Sequence, residues 1–178
     1  MELLAVTDTL TGLANRRQFD AYLDREMAHS RRHKNSFCLL MIDADHFKRV
    51  NDQFGHRRGD EVLAHLAQTI EGSLRAEDCA FRVGGEEFAV LLRDAGEISG
   101  LGAAERLLAA VRRDPFRSGN DVHDLTVSIG VSALTPRAEV SRELLVARAD
   151  AALYAAKGGG RDRASVDFST LSERIASV

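Results

Sequence analysis

Acidic side chains cluster at two places in the sequence, each beside a feature that would expose them. Asp43 follows the unbroken apolar run 37–42, Asp45 comes two residues later, and Glu86 and Glu87 directly follow two glycines. Carboxylates brought together repel one another unless a cation lies between them, and a hard divalent ion such as Mg²⁺ prefers oxygen ligands. These acids are therefore candidate metal ligands. Because turns are commonly rich in acidic residues and glycine, Glu86 and Glu87 alone also fit a turn that binds nothing.

Two further segments carry groups that could hold phosphate. The segment 45–48 opens a predicted short helix, whose first N–H groups would suit phosphate oxygens. Far along the chain, Lys157 and Arg161 bracket three consecutive glycines. Together they could bind a triphosphate. Cations at the end of a helix also favour the helix dipole, and the spacing alone favours this simpler explanation.

The apolar pattern predicts the elements that would position these groups. We predict helices over 15–34, 60–74, 101–113 and 142–157, and strands over 37–42, 79–83, 88–92 and 125–131. Apolar and small residues alternate in the last strand, which predicts that it is half-buried. The order is typical of an α+β fold with a ferredoxin-like, palm-like β-α-β-β-α-β core. Its central sheet would be mostly antiparallel and flanked by helices.

Composition excludes several classes of protein. The formal net charge of −3 and the pI near 6.1 argue against a protein that coats a nucleic acid polymer. We find neither a membrane-spanning run nor a signal peptide, so we expect a cytoplasmic protein without membrane contact. Cys38 and Cys79 lack metal-like spacing and fall in predicted strands, where a free thiol behaves as a small hydrophobe. We expect residues 1–178 to form a single domain.

Several short segments follow one another in an order that matches a known family. They are Asp8–Arg17, Asp43–Lys48, Asn51–Asp60, Gly84–Phe88, Ser128–Val131 and Ala149–Arg161. Together they resemble the GGDEF family, whose name-giving motif has here its common GGEEF form. The resemblance covers about residues 7–164, and so many matches in order are specific. Residues 1–6 would then be the stub of a coupling helix, and 165–178 a C-terminal tail.

The resemblance implies a diguanylate cyclase, which condenses two GTP molecules into cyclic di-GMP and two pyrophosphates. It implies that Asp43, Glu86 and Glu87 are the catalytic residues. With the backbone carbonyl of Ala44, they would hold two Mg²⁺ ions per site, with Mn²⁺ as a substitute. Glu87 would also help to activate the attacking hydroxyl.

The same resemblance implies how the substrate is held. Asn51 and Asp60 would read guanine. The backbone amides of Phe47 and Lys48, with the side chains of Lys157 and Arg161, would hold the β- and γ-phosphates. Each domain would bind one GTP, so catalysis would need a homodimer. A sensor domain upstream in a longer native protein is also implied.

A third site is implied at Arg75-Ala76-Glu77-Asp78, which resembles the RxxD product-inhibition site of many family members. Arg106, on the following predicted helix, resembles the arginine that completes this site. Alternatively, Arg75 merely caps the helix that ends near residue 74. The sequence departs from the common pattern at Ala44, which would act through its backbone, and at His46, for which we expect a structural role.

Two other functions compete with a diguanylate cyclase. The first is an inactive family member that acts as a receptor for cyclic di-GMP or GTP. The intact Asp43, Glu86 and Glu87 argue against it, because a retired site need not keep them. The second is a cyclase or polymerase with another nucleotide preference, against which Asn51 and Asp60 favour guanine.

Overall fold

The computed structural model describes residues 6–136 and 139–167 of the chain. Helices and strands in these ranges follow the order that the apolar pattern predicts, with three short strands added. The elements are α1 (Arg16–His33), β1 (Phe37–Ala44), α2 (Phe47–Phe54), α3 (His56–Gly72), β2 (Cys79–Arg82), β3 (Glu87–Arg93), α4 (Glu97–Arg113), β4 (Phe116–Ser118), β5 (Asp121–His123), β6 (Val127–Leu134), α5 (Arg142–Gly158) and β7 (Ala164–Val166).

The central sheet has the strand order β2-β3-β1-β6-β7. β1 is antiparallel to β3 on one side and to β6 on the other, while β7 runs parallel to β6. Read as β6-β1-β3-β2, the four core strands have the ferredoxin-like arrangement, so the predicted α+β fold is confirmed. β4 and β5 form a separate hairpin.

β1 is buried along its whole length, as its unbroken apolar run predicts. Its successive side chains point to opposite faces of the sheet. Leu40 and Ile42 belong to a cluster with apolar residues of α3 and α4. Leu39 and Met41 belong to a second cluster with residues of α1 and α5. Helices therefore cover both faces, and the carboxyl end of β1 emerges between these two layers.

The prediction of a half-buried strand over 125–131 was wrong. The strand is β6, and all eight of its residues are buried. Its small side chains allow helix α5 to lie very close, so the face that looks polar in the sequence is covered too. A Cβ atom at Gly130 would overlap the backbone of Ala149 and Leu153 in α5. Small residues here indicate close helix packing rather than exposure.

Two helices begin earlier than predicted. α3 begins at His56 because Gly55, with φ 84°, turns the chain between α2 and α3. The charged stretch before residue 60 is therefore mostly helical. α4 begins at Glu97, where the Ser99 hydroxyl accepts a hydrogen bond from the Gly96 N–H at 3.0 Å. Hydrophobic periodicity cannot detect such polar helix starts.

Some predictions concern parts of the chain that the structure describes only partly. Most of the predicted coupling-helix stub and C-terminal tail lie outside the described residues. Cys38 and Cys79 lie in β1 and β2 as predicted, and both are free thiols. None of the helices in the described ranges has both the length and the apolar character that a membrane span requires.

The close approach of α5 to β6 leads to a prediction. Gly130→Ala should lower the free energy of unfolding by about 3 kcal/mol, because backbone atoms of α5 cannot move aside as a side chain could. Urea denaturation measures this. Gly72→Ala is the matched control: a Cβ there meets no heavy atom within 4 Å, and we expect a gain of about 0.5 kcal/mol. Equal stability of Gly130→Ala and the wild type would contradict the packing described.

Candidate active site

The end of β1 brings together acids from distant parts of the sequence. Asp43 lies opposite Glu87 of β3 and opposite Ser128 of β6. Its side chain is only 7% exposed, and its Oδ2 atom accepts from the Lys157 ammonium at 2.8 Å. Lys157 is in the last turn of α5. The structure thus places Asp43, Glu86, Glu87 and Lys157 at one end of the sheet, and Lys157 does more there than complement a helix dipole.

The turn between β2 and β3 positions the two glutamates. The N–H groups of Val83 and Gly84 donate to the Glu87 carbonyl at 3.0 and 3.3 Å, which closes the turn. The Ala44 N–H donates to the Glu86 carbonyl at 3.1 Å, which ties the turn to β1. A Cβ atom at Gly84 would overlap the Glu87 carboxylate, while the space beside Gly85 is open. Gly84 therefore makes room for an acid, and Gly85 leaves room for a ligand.

The charges at this site favour a bound cation. Burial, and then the neighbouring Asp43 carboxylate, raise the pKa of Glu86 above its ordinary value; Lys157 opposes this shift and Glu87 adds to it. An acid whose charged form is disfavoured in this way gains from a nearby positive charge. Lys157 supplies one such charge to Asp43.

The donor atoms also suit a divalent metal. Carboxylates of Asp43, Glu86 and Glu87 and the Ala44 carbonyl are hard oxygen ligands of the kind that Mg²⁺ prefers. In the described part of the chain, no three His, Cys, Asp or Glu side chains converge as a ready metal-binding group. The chemistry of the residues therefore fits the metal, and occupation would require the carboxylates to converge further.

Asp45, unlike the candidate metal ligand Asp43, has both of its carboxylate oxygens held by hydrogen bonds. Its Oδ2 atom accepts from the Thr126 hydroxyl at 2.8 Å and from the Asp162 N–H at 3.0 Å, and its Oδ1 atom accepts from the Ser128 hydroxyl at 2.7 Å. These bonds join the ends of β1 and β6 to the loop after α5. The sequence signal for Thr126 and Ser128 was the alternation of polar and apolar residues at the start of β6, which we interpreted as exposure.

Two further predicted substrate-binding residues, Asn51 and Asp60, lie where α2 meets α3. Asn51 of α2 packs against Gly59 of α3, where any side chain would overlap its amide. The Oδ1 atom of Asn51 is buried and has no hydrogen-bond partner among the described residues. Asp60, next to Gly59, is exposed. An orphaned amide oxygen beside an open carboxylate suits a ligand that offers N–H donors.

The start of α2 and the loop after α5 carry the remaining predicted substrate-binding residues. α2 begins at Phe47 after His46, which has the left-handed φ of 57°, and no side chain caps this helix end. The N–H groups of Phe47 and Lys48 belong to that uncapped first turn. His46 is exposed at the junction, and its expected structural role stays a prediction. Arg161 is exposed and also left-handed, with φ 64°.

Arg82 supports the acidic turn, and sequence reasoning missed it. Its guanidinium donates to the carbonyls of Gly84 and Gly85 at 3.2 and 2.8 Å, and to both carboxylate oxygens of Asp8 at 3.0 and 3.1 Å. Asp8 also accepts from the Thr11 N–H and hydroxyl at 2.9 and 2.7 Å. Burial alone would raise the pKa of Asp8, but the bonds from Thr11 and Arg82 outweigh it and lower the pKa.

The predicted inhibitory residues are only partly brought together. Arg75 and Asp78 line a surface cavity of about 590 Å³ with Tyr22 and Arg25 of α1. The Arg75 N–H donates to Asp78 Oδ2 at 3.2 Å. Arg106 is exposed on α4 and is not among the residues that line this cavity.

The end of α3 also bears on the alternative explanation of Arg75. There the Ser73 hydroxyl donates to the Thr69 carbonyl at 2.7 Å, and the Ser73 N–H donates to the Ile70 carbonyl at 3.1 Å. Ser73 thus performs the capping that the alternative assigns to Arg75.

This fold and site define a family. The family model described as "Diguanylate cyclase, GGDEF domain" matches residues 5–163, and the chain belongs to this family. The sequence resemblance is thereby confirmed.

Three known proteins illustrate the relationship. Diguanylate cyclase DgcP of Pseudomonas aeruginosa is 42% identical over 162 residues, which are 91% of this chain and 24% of that protein. Response regulator PleD of Caulobacter vibrioides is 42% identical over 161 residues, 89% of this chain and 35% of that protein. The GGDEF domain of DgcB from Caulobacter crescentus, solved in complex with c-di-GMP, has a TM-score of 0.87 at 37% identity and covers 95% of this chain and 97% of that one. The chain spans about a quarter to a third of these curated relatives.

The lowered pKa of Asp8 leads to a prediction about pH. Because this pKa lies below its ordinary 3.8 in the folded state, the ionised carboxylate stabilises the fold above that pH, and the contribution is lost as the pH falls through the folded-state value. Asp8→Asn should cost about 1–2 kcal/mol at pH 7, and the difference should shrink below pH 3.8. Urea denaturation at stepped pH measures it.

Asp20→Asn is the control for this experiment. Asp20 forms an exposed ion pair with Arg16 at 3.6 Å, so its loss should cost less than about 0.5 kcal/mol. An Asp8→Asn cost that stays constant down to pH 3 would contradict the proposed charge effect.

Proposed function

We propose that this domain condenses two GTP molecules into cyclic di-GMP and two pyrophosphates, at the interface of a homodimer. The observation that carries the proposal is that Asp43 lies opposite Glu87 at the ends of β1 and β3, with Glu86 in the adjoining turn and Lys157 bonded to Asp43. In each half of the reaction, the 3′-oxygen of one GTP attacks the α-phosphorus of the other. A new phosphoester bond forms, the α–β phosphoanhydride bond breaks, and the hydroxyl proton is lost.

The carboxylates would hold the metal ions. Members of this family generally use divalent metal ions. We assign two Mg²⁺ ions to Asp43, Glu86, Glu87 and the Ala44 carbonyl; when bound, they would activate the attacking hydroxyl and balance the charge of the departing phosphates. Gly85 leaves open space beside these acids, and the Arg82 contacts hold the turn that carries them. A rigid turn keeps acids that repel one another in place before substrate arrives.

Asn51 of α2 and Asp60 of α3 would hold the guanine. Guanine offers N1–H and N2–H₂ as donors, and the Asp60 carboxylate is an open acceptor for them. The orphaned Asn51 amide oxygen supplies a second acceptor, or its amide group a donor, for the same ring. Gly59 lies between them, and because it has no side chain, the Asn51 amide can pack directly against it. This arrangement favours guanine over adenine, which presents a different set of donors and acceptors.

The triphosphate would lie between the start of α2 and the end of α5. The N–H groups of Phe47 and Lys48 lie in the first turn of α2, which no side chain caps, and this positive helix end suits phosphate. Lys157 already neutralises Asp43 and would exchange this contact for the β- and γ-phosphates when a metal takes its place. Arg161 provides a second cation from the loop that follows. Each domain then holds one GTP, and two domains must face each other to react.

We further propose that cyclic di-GMP inhibits the domain at the cavity lined by Arg75 and Asp78. The cavity is open to solvent and combines a guanidinium, a carboxylate and the ring of Tyr22. An arginine fork can bind a guanine edge or a phosphate at two points. Arg106 does not line this cavity, so it would contact the bound cyclic di-GMP only if it came from another surface, such as that of a second copy. The c-di-GMP complex of the DgcB domain supports product binding by this type of fold.

Activity is tested with protein stripped of bound nucleotide and incubated with GTP and Mg²⁺ at several protein concentrations. Chromatography should show cyclic di-GMP, and doubling a low protein concentration should raise the initial rate about fourfold, because two copies must meet. Glu87→Gln should lower the rate at least about a hundredfold. Glu105→Gln, which removes an exposed acid of α4, is the control and should keep full activity.

Failure to dimerise must be separated from failure of the chemistry. A parallel coiled coil fused ahead of residue 1 would raise the local concentration of the second copy. If the fused protein forms cyclic di-GMP and the isolated domain does not, the proposed activity stands and the isolated domain merely fails to dimerise. No product from the fused protein at any GTP concentration would overturn it and favour the receptor function.

Inhibition is tested by calorimetric titration of cyclic di-GMP. Arg75→Ala should weaken binding at least about tenfold, because a two-point contact is lost. The inhibition constant should rise in parallel, while the uninhibited rate stays the same. Glu77→Ala, in the same turn, is the matched control and should bind as the wild type does. Unchanged affinity in Arg75→Ala would show that the product binds elsewhere.

A further inference from the structure

The loop after α5 has an uncommon backbone. Gly160, Arg161 and Asp162 follow one another with φ values of 115°, 64° and 48°. Residues with a side chain rarely adopt this left-handed region, and two in succession persist only when surrounding contacts hold them. The contacts around Asp162 therefore determine how the loop presents Arg161.

Asp45 holds Asp162 from the side of the sheet. The Asp162 N–H donates to Asp45 Oδ2 at 3.0 Å. Asp45 cannot turn away easily, because the hydroxyls of Thr126 and Ser128 hold both of its carboxylate oxygens. Since Asp45 comes two residues after Asp43, this contact joins the loop to the acidic end of β1.

Arg112 holds the same residue from the side of α4. Its Nε atom donates to both carboxylate oxygens of Asp162 at 2.9 and 3.1 Å, and a terminal nitrogen donates to the Asp162 carbonyl at 2.8 Å. The planar guanidinium of Arg112 thus bonds both the side chain and the main chain of Asp162. The two side chains are 44% and 39% exposed, so this ion pair contributes little to stability. Its geometric effect on the loop is the larger one.

We propose that Arg112 is a positioning residue for the triphosphate. Through Asp162, and together with Asp45, it fixes the left-handed backbone from which the Arg161 side chain reaches the terminal phosphates. The inference rests on the proposed function, because it assumes that Arg161 binds phosphate. Nothing in the sequence pattern singles out Arg112, which lies 50 residues from its partner.

Binding to a non-reactive nucleotide tests this inference without requiring a dimer or catalysis. Stripped protein is titrated calorimetrically with guanosine α,β-methylene triphosphate and, separately, with GMP, both with Mg²⁺. Arg112→Ala should weaken the triphosphate analogue about fivefold and leave GMP unchanged, because GMP lacks the terminal phosphates. Arg113→Ala removes the same charge from the next residue of α4 and should change neither affinity.

A double-mutant cycle separates positioning from a merely structural role. Arg161→Ala should weaken the triphosphate analogue about tenfold, and adding Arg112→Ala should weaken it no further, because Arg112 acts through Arg161. Independent, multiplying losses would overturn the inference, as would an equal loss in Arg113→Ala. Thermal unfolding of each variant reports on the fold, and Arg112→Lys, which keeps the charge without the fork, substitutes if Arg112→Ala does not fold.

The cycle also distinguishes two failures. If Arg161→Ala binds the triphosphate analogue as the wild type does, the phosphate role of Arg161 in the proposed function is wrong, and the inference falls with it. If Arg161→Ala weakens binding but Arg112→Ala does not, the proposed function stands and the inference alone is overturned.

Discussion

The charge of one buried carboxylate governs the arrangement of the site. Asp43 ends the central strand with only 7% of its side chain exposed, so its charge requires a nearby positive partner. Lys157 provides that partner from α5, and it can do so because α5 lies against the small residues of β6. Core packing therefore affects the charges of the site. Gly130 lets α5 lie close to β6, and α5 carries the Lys157 ammonium that bonds Asp43.

The remaining parts of the site are held by polar contacts from outside the sheet. The acidic turn is fixed by Arg82, which Asp8 in turn orients. The loop after α5 is fixed by Asp45 and Arg112. In both cases a guanidinium donates to the main chain: Arg82 bonds the carbonyls of Gly84 and Gly85, and Arg112 bonds the carbonyl of Asp162. Arg82 and Arg112 thus hold the backbone near the acids, while Glu86 and Glu87 remain available for ligands.

Sequence patterns predicted the elements well and the contacts poorly, for physical reasons. Apolar periodicity reports which face of an element is covered, so β1, α1 and α5 were predicted close to their true bounds. It misjudged β6, because a serine or glycine looks the same whether it faces water or a closely packed helix. Residue types and spacing already indicated Asp43, Glu86 and Lys157 as candidates, and the motif resemblance added Asn51. It did not supply Arg82 or Arg112, since pairs that lie 74 or 50 residues apart leave no local signal.

The edges of the sheet have a consequence for how copies can meet. The edge strands β2 and β7 have four and three residues, and the Arg82 N–H at one edge is already bonded to the Ala14 carbonyl at 2.9 Å. Short and partly covered edges offer a foreign strand little to pair with. A sheet with such edges, in the described residues, is thus poorly suited to open-ended extension from copy to copy. Contacts between copies would fall instead on side-chain surfaces, as the proposed two-fold pair requires.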